Sequence, residues 1–323
     1  MNCSYNITVL SSVLPPVLGV AFTLGAVGNA FALWIFCFHL RPWRSSTVLL
    51  FSLALADVLL LVALPFRISY YSSNLEWEFG NTFCNICYFL VVMNRTGSTL
   101  FLIVIALDRY MHVVHPHHPV NFMSVSKSVC GAVILWLLTV MLGAFFTLYK
   151  SNKSYCGDFR SQIERNQIIS GPKLAYLLAF YVPFLVILFS TTSIVQHLRR
   201  RRLAQHTQVK KALLVLISMI ILFVVCLLPT NITQLVIWSK ARTMATWGCA
   251  EREQMTKIYS LTVSLTYLNS AMDPVVYFFS SSEFRSRCRR VLVLKPSMDS
   301  PAQGDAREPD AVGREQSWDH LNI

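Results

Sequence analysis

Apolar residues run along the chain in seven long blocks, roughly 12–38, 47–71, 84–114, 129–149, 173–198, 209–238 and 257–280. A helix needs about 20 mostly apolar residues to cross a bilayer core, so the pattern predicts seven membrane-spanning helices. The cleanest block runs from Ala212 to Leu228, where Ser218 alone is polar. The blocks are too long and too continuous for barrel strands, which show roughly ten residues of alternating character. Met1 to Ser12 holds no basic residue and the first block has no small-residue cleavage site, so no cleaved leader is expected. Pro183, Pro229 and Pro274 punctuate the last three blocks, where kinks are expected.

Composition agrees with that reading. Hydrophobic residues make up 54% and charged residues 14%, against about 25% charged in an ordinary soluble domain. This excludes a disordered chain, a small disulfide scaffold and a typical soluble enzyme. The net charge of +12 would suit nucleic acid, but its placement decides otherwise. Arg41 and Arg44 follow the first block, and Arg199 to Arg202 with Lys210 and Lys211 follow the fifth, with no acid among them. Basic loops stay cytoplasmic, which puts the N-terminus outside and the C-terminus inside. The sequons at Asn2, Asn6 and Asn152 then face outside, as glycosylation requires. Those at Asn94 and Asn231 fall inside blocks and are expected to stay bare.

The outside is oxidising. Cys84 opens the third block and Cys156 lies in the loop after the fourth, so a disulfide between them is expected. Cys3 and Cys249 are the remaining external cysteines and could pair. Cys37, Cys87, Cys130 and Cys226 read as apolar fillers, and Cys288, soon after the last block, as a palmitoylation candidate. From Pro296 on, six acids, two arginines and several Pro, Ser and Gly read as a disordered cytoplasmic tail. Without that tail the net charge is +16, which suits a cytoplasmic membrane face and an acidic partner.

Ionisable groups inside a bilayer are costly and mark function. Asp57, Asp108 and Asp273 are the three carboxylates within or at the edge of the blocks. Gly28-Asn29, Leu53-Ala54-Leu55-Ala56-Asp57, Cys84, Asp108-Arg109-Tyr110, Trp136 and Asp273-Pro274-Val275-Val276-Tyr277 stand in that order. In this combination residues 12–292 resemble a rhodopsin-like G-protein-coupled receptor. A finer resemblance is to the group holding the hydroxycarboxylic acid, oxoeicosanoid and 12-hydroxyeicosatetraenoic acid receptors. Tyr70-Tyr71, Trp77-Glu78-Phe79-Gly80, Met93 to Ser98, Val113 to His118, Leu265 to Ser270 and Phe279-Ser280-Ser281 carry it. The three histidines at 115, 117 and 118 lie in this match, with no Cys or carboxylate nearby, and are not read as a metal site.

The resemblance implies an all-α membrane protein, a seven-transmembrane helix bundle with a short amphipathic eighth helix. Residues 1–11 form the glycosylated outer terminus, 12–280 the bundle, 281–295 the eighth helix with the membrane-proximal segment, and 296–323 the tail. It implies no enzyme and no cofactor beyond an allosteric sodium ion. It also implies a plasma-membrane receptor joining a carboxylate ligand to a heterotrimeric G protein of the inhibitory class. Arg95 is the implied anchor of the ligand carboxylate. Helical geometry supports that role: Arg95 lies eleven residues past Cys84, about 16 Å deeper and on nearly the same helix face. Span 3 offers it no acid one turn away, and a buried guanidinium without a protein partner suits an incoming carboxylate. A structural pair with Asp57 or Asp273 is the other reading.

Arg67, Tyr71, Tyr267 and Phe159 are further pocket candidates, and Lys240 and Arg242 could steer anions. Asp57, Asn94, Ser98, Asn269, Ser270 and Asp273 are spaced to meet in the core, like the sodium site of rhodopsin-like receptors. A shared proton or a water network would serve there too. By resemblance Asp108 holds Arg109 at rest, Arg109 meets the G protein when active, Tyr110 completes that motif, and the sixth span swings about Pro229. Two residues of the family pattern are missing: the text Cys226-Leu227-Leu228-Pro229 lacks the usual tryptophan, and the fifth block lacks a tyrosine near its inner end. The ligand reading leans to an oxidised fatty acid, with a short hydroxy acid of the lactate or 3-hydroxybutyrate type as the alternative. A carboxylate transporter is the rival from another class. It would want inverted repeats, and none is visible in the sequence.

Overall fold

The computed structural model describes residues 8–150, 170–201, 207–240 and 248–293. Its helices are α1 (Thr8–Trp34), α2 (Ser45–Ser72), α3 (Gly80–Val114), α4 (Val125–Lys150) and α5 (Ser170–Arg201). α6 (Thr207–Leu222), α7 (Leu228–Lys240), α8 (Cys249–Tyr267), α9 (Asn269–Ser280) and α10 (Ser282–Val293) follow. α6 and α7 run on through a π-helical turn, Phe223–Leu227, as the sixth span. α8 and α9 meet at Leu268 and form the seventh. Among the described residues, six helices are long and apolar enough to cross a membrane. The seventh span reaches further than its apolar block, starting at Cys249 rather than near 257. Its first turns are polar but locally supported: Glu251 accepts from the Gly248 amide at 3.3 Å, and Lys257 pairs with Glu253 at 2.6 Å.

The first span shows how sequence becomes packing. Leu10, Leu14, Leu18, Ala21, Gly25, Asn29 and Ala32 are its buried face, at spacings of four or three. Val20, Leu24 and Val27, on the other face, are apolar and exposed. A helix apolar on both faces has lipid, not water, for a neighbour. In lipid the close approach of helices does the work that water exclusion does elsewhere, so small residues sit at the contacts. A Cβ on Gly28 would lie 2.6 Å from Pro274 Cγ, and one on Gly97 would be 3.5 Å from Ala56 Cβ.

The Gly28 contact sits beside a proline solution. Pro274 has no N–H for the carbonyl four residues back, Ser270. Asn29 Nδ2 donates to that carbonyl at 2.8 Å instead, joining the first span to the seventh. We expect Gly28→Ala to lower stability by about 1–3 kcal/mol, because the proline ring is rigid and the helices must part. The thermal midpoint of detergent-solubilised protein measures this, and an unchanged midpoint would mean that the helices absorb the methyl freely.

The prolines act differently from one another. Before Pro229 the helix widens into the π turn, as expected where the ladder loses a donor. Pro183 lies inside an uninterrupted α5. In the seventh span the irregularity falls at Leu268, whose amide bonds to Leu265 O at 3.1 Å, and not at Pro274. α10 follows with Phe284 and Cys288 turned into the core and Arg285, Arg289 and Arg290 outside it. Cys288, the palmitoylation candidate, is 6% exposed and packs in the main core, and burial raises its thiol pKa. Glu283, one residue before Phe284, is paired with Arg44 at 2.7 Å.

Candidate functional site

A cavity of about 420 Å³ lies among the second to seventh spans. Arg95 from α3 and Arg67 from α2 both line it, with Tyr176, Gln234 and Tyr267. Arg95 is partly buried and held from two sides. Its Nη1 donates to the Tyr176 hydroxyl at 2.7 Å and its Nη2 to Asn231 Oδ1 at 3.2 Å. The Arg95 guanidinium carbon also lies 4.4 Å from the centre of the Tyr176 ring. The expectation that Arg95 lacks a protein partner is therefore corrected, since it has two neutral ones. Neither partner carries charge, and among the described residues no acid pairs with Arg95. Asp57 and Asp273 do not reach it and bond within their own cluster.

Tyr176 and Asn231 escaped sequence reasoning. Tyr176 is one tyrosine among 12. Asn231 drew notice only for its sequon, although an amide within an apolar span is itself a signal. Its buried side chain also donates to Leu227 O at 2.8 Å, a carbonyl of the π turn. Arg67, Arg95 and Tyr267 line the cavity, but Tyr71 does not. Tyr71 is buried against Tyr70, 5.2 Å between ring centres, in a cluster with Leu10, Leu14 and Leu64. Lys240 is exposed. Phe159, Arg242, Cys3, Cys156, Asn2, Asn6 and Asn152 lie outside the described residues. Cys84 and Cys249 are both disulfide-bonded, while Cys37, Cys87, Cys130, Cys226 and Cys288 are free thiols. The Asn94 and Asn231 sequons are buried.

Below Arg95 lies a buried polar cluster. Asp57 Oδ1 accepts from Ser270 Oγ at 2.7 Å and from Asn94 Nδ2 at 3.1 Å. Asp57 Oδ2 is 2.9 Å from the Tyr277 hydroxyl, which also lies 2.9 Å from Asn29 Oδ1. Asn94 Nδ2 is 3.3 Å from Ser98 Oγ, and Asn269 Nδ2 donates to Asp273 Oδ2 at 3.1 Å. The six residues expected to meet do meet, and Asn29 and Tyr277 join them. The donors are concentrated on Asp57. Asp273 Oδ1 and Asn269 Oδ1 are left buried without a hydrogen-bond partner.

At the far end of the bundle is a second cavity, about 830 Å³, lined by Arg44, Asp108, Arg109, Lys127 and Lys211 among others. Arg109 Nη2 lies 3.0 Å from Asp108 Oδ2, an ion pair whose angle is off-line for a hydrogen bond. Tyr110 turns aside, its hydroxyl 3.2 Å from His115 Nε2 and its ring against Phe189. The bundle thus presents a cationic pocket at one end, a polar core in the middle and a basic crevice at the other.

The family model for seven-transmembrane receptors of the rhodopsin family matches residues 28–277. The chain is 38% identical to human (Homo sapiens) hydroxycarboxylic acid receptor 3, over 87% of this chain and 73% of that one. It is 35% identical to human oxoeicosanoid receptor 1, over 93% and 77% of the two chains. It is also 35% identical to the human 12-(S)-hydroxy-5,8,10,14-eicosatetraenoic acid receptor, over 98% of each.

Proposed function

The chain belongs to the rhodopsin family of seven-transmembrane receptors, and on that premise we propose that it is a plasma-membrane receptor for an oxidised long-chain fatty acid, signalling through an inhibitory heterotrimeric G protein. Arg95 carries the reading. A guanidinium at the wall of an apolar cavity, with only neutral partners among the described residues, keeps its full charge for a ligand. A carboxylate fits it with two parallel charge-assisted hydrogen bonds.

Cavity size favours a long acid over a short one. Lactate has six non-hydrogen atoms and leaves most of the roughly 420 Å³ cavity unfilled. The unfilled apolar wall would lose contacts. The short hydroxy acid remains the alternative because its carboxylate would use the same arginine.

In this reading the N-terminus is outside, the C-terminus inside, and the basic crevice around Arg109 receives the G protein. Cys84 pairs with Cys156, and Cys249 with Cys3. A sodium ion fits the polar core: Asp273 Oδ1 and Asn269 Oδ1, the buried oxygens without donors, would hold it, supplying a counter-charge that favours the resting state.

The test is nucleotide exchange on purified inhibitory, stimulatory and phospholipase-coupled G proteins, with lactate, 3-hydroxybutyrate, 12-hydroxyeicosatetraenoic acid and an oxoeicosanoid as ligands. Acceleration by a twenty-carbon acid on the inhibitory protein is expected. Net uptake of a labelled acid without exchange would instead make the chain a transporter.

A further inference from the structure

Among the described residues, the cavity around Arg95 is open on the side of the fourth and fifth spans. Leu142 and Phe146 of α4 and Leu178 and Val182 of α5 belong to its wall. Leu178 and Val182 are at the same time 50% and 48% exposed on the outer surface of the bundle. A side chain that lines a cavity and also faces the surroundings marks an opening. Among the described residues, the fourth and fifth spans each pack on the third and scarcely touch one another. On α3, Thr96, Leu100 and Ile103 follow at spacings of four and three and line the same gap. The wall is cationic and polar at Arg95 and apolar from there to the membrane.

We infer that this gap is a lateral port through which the hydrocarbon tail of the ligand lies, with the carboxylate at Arg95 and the far carbons in the bilayer. The inference rests on the carboxylate reading above. A tail that leaves between α4 and α5 enters lipid, so its carbons never meet water. The gap runs from Arg95 toward Ile103, eight residues or about 12 Å along α3.

The port is tested by closing it. Val182→Trp and Leu178→Trp place an indole at the lipid boundary, where the outward half of each site leaves room for it. Cyclic AMP inhibition by 12-hydroxyeicosatetraenoic acid is measured at matched surface expression in wild type, both tryptophan variants and Arg95→Ala. The expected result is a potency loss of about ten-fold or more in the tryptophan variants, with no response in Arg95→Ala. Wild-type potency in the tryptophan variants, with Arg95→Ala silent, overturns the port and leaves the carboxylate anchor standing. A silent wild type, or an Arg95→Ala receptor equal to wild type, overturns both. Where a tryptophan variant fails to reach the surface, Val182→Cys is labelled in place with pyrene maleimide, against labelled wild type as control. Loss of potency on labelling supports the port, and unchanged potency overturns it.

Discussion

Arg95→Ala is expected to abolish the response to a long-chain hydroxy acid while leaving the receptor at the cell surface. Removing one partner of a desolvated, hydrogen-bonded charge pair costs about 2–5 kcal/mol, or roughly 30-fold to several thousand-fold in potency. The cost to folding is smaller, because Arg95 bonds only to neutral groups, the Tyr176 hydroxyl and the Asn231 amide oxygen. No buried counter-ion is stranded when the arginine leaves. Arg95→Lys separates charge from shape. The ammonium restores a point charge but not the planar fork, so potency should fall between alanine and wild type. Tyr176→Phe removes one hydrogen bond that aims the guanidinium and keeps the ring beneath it. A loss near ten-fold is expected there, about the worth of one hydrogen bond. Full potency in Arg95→Ala at equal surface expression would make the arginine structural and move the carboxylate elsewhere, with Arg67, buried in the same cavity wall, the next residue to substitute.

The spans were legible because lipid imposes a one-body rule: an apolar stretch of sufficient length must cross, whatever packs beside it. That rule loses its grip where local hydrogen bonds stabilise a polar helix. The first two turns of α8 show this, with Glu251, Glu253 and Lys257 held by a cap and an ion pair. Arg95 was legible for a related reason, since an uncompensated charge in a span is costly wherever its neighbours are. Its partners were not. Tyr176 and Asn231 lie 81 and 136 residues further on, and only the packing of α5 and α7 against α3 sets them within 3.2 Å. The burial of Tyr71 and Cys288 was hidden in the same way. Each could face a ligand or the lipid by composition, and each turns inward by helix phase. Pro274 lies between these cases. The sequence reading places an irregularity near it, but the carbonyl it frees is taken by Asn29, 241 residues from Ser270 in the chain. Its helix therefore stays regular there and breaks at Leu268 instead.

Asp57→Ala is expected to give the largest loss of stability of any single change in the polar core, and Asp57→Asn to restore most of it. The carboxylate is fully buried and meets Ser270, Asn94 and Tyr277 at 2.7, 3.1 and 2.9 Å. Alanine leaves the Ser270 hydroxyl without its acceptor, while Asn94 keeps Ala56 O at 3.1 Å and Tyr277 keeps Asn29 Oδ1 at 2.9 Å. One buried donor left unsatisfied costs about 1–3 kcal/mol, and the void left by the carboxylate adds to it. An asparagine at this place can do almost all that the aspartate does. Its oxygen still accepts from Ser270 and Asn94. Its amide group supplies a hydrogen where one is short: the two Asn29 amide hydrogens go to Gly25 O and Ser270 O, so Asn29 Oδ1 must accept from Tyr277. The single Tyr277 hydrogen is then spent, and an amide at position 57 can donate to the tyrosine oxygen in return. Thermal midpoints of solubilised receptor should therefore rank wild type near Asp57→Asn, with Asp57→Ala far below, and Tyr277→Phe lower than wild type by about one hydrogen bond. Equal midpoints for the alanine and asparagine variants would show that the three contacts contribute nothing together. The proposed sodium site is tested separately. The oxygens without donors belong to Asp273 and Asn269, so Asp273→Asn should remove a sodium-dependent rise in midpoint that Asp57→Asn only weakens.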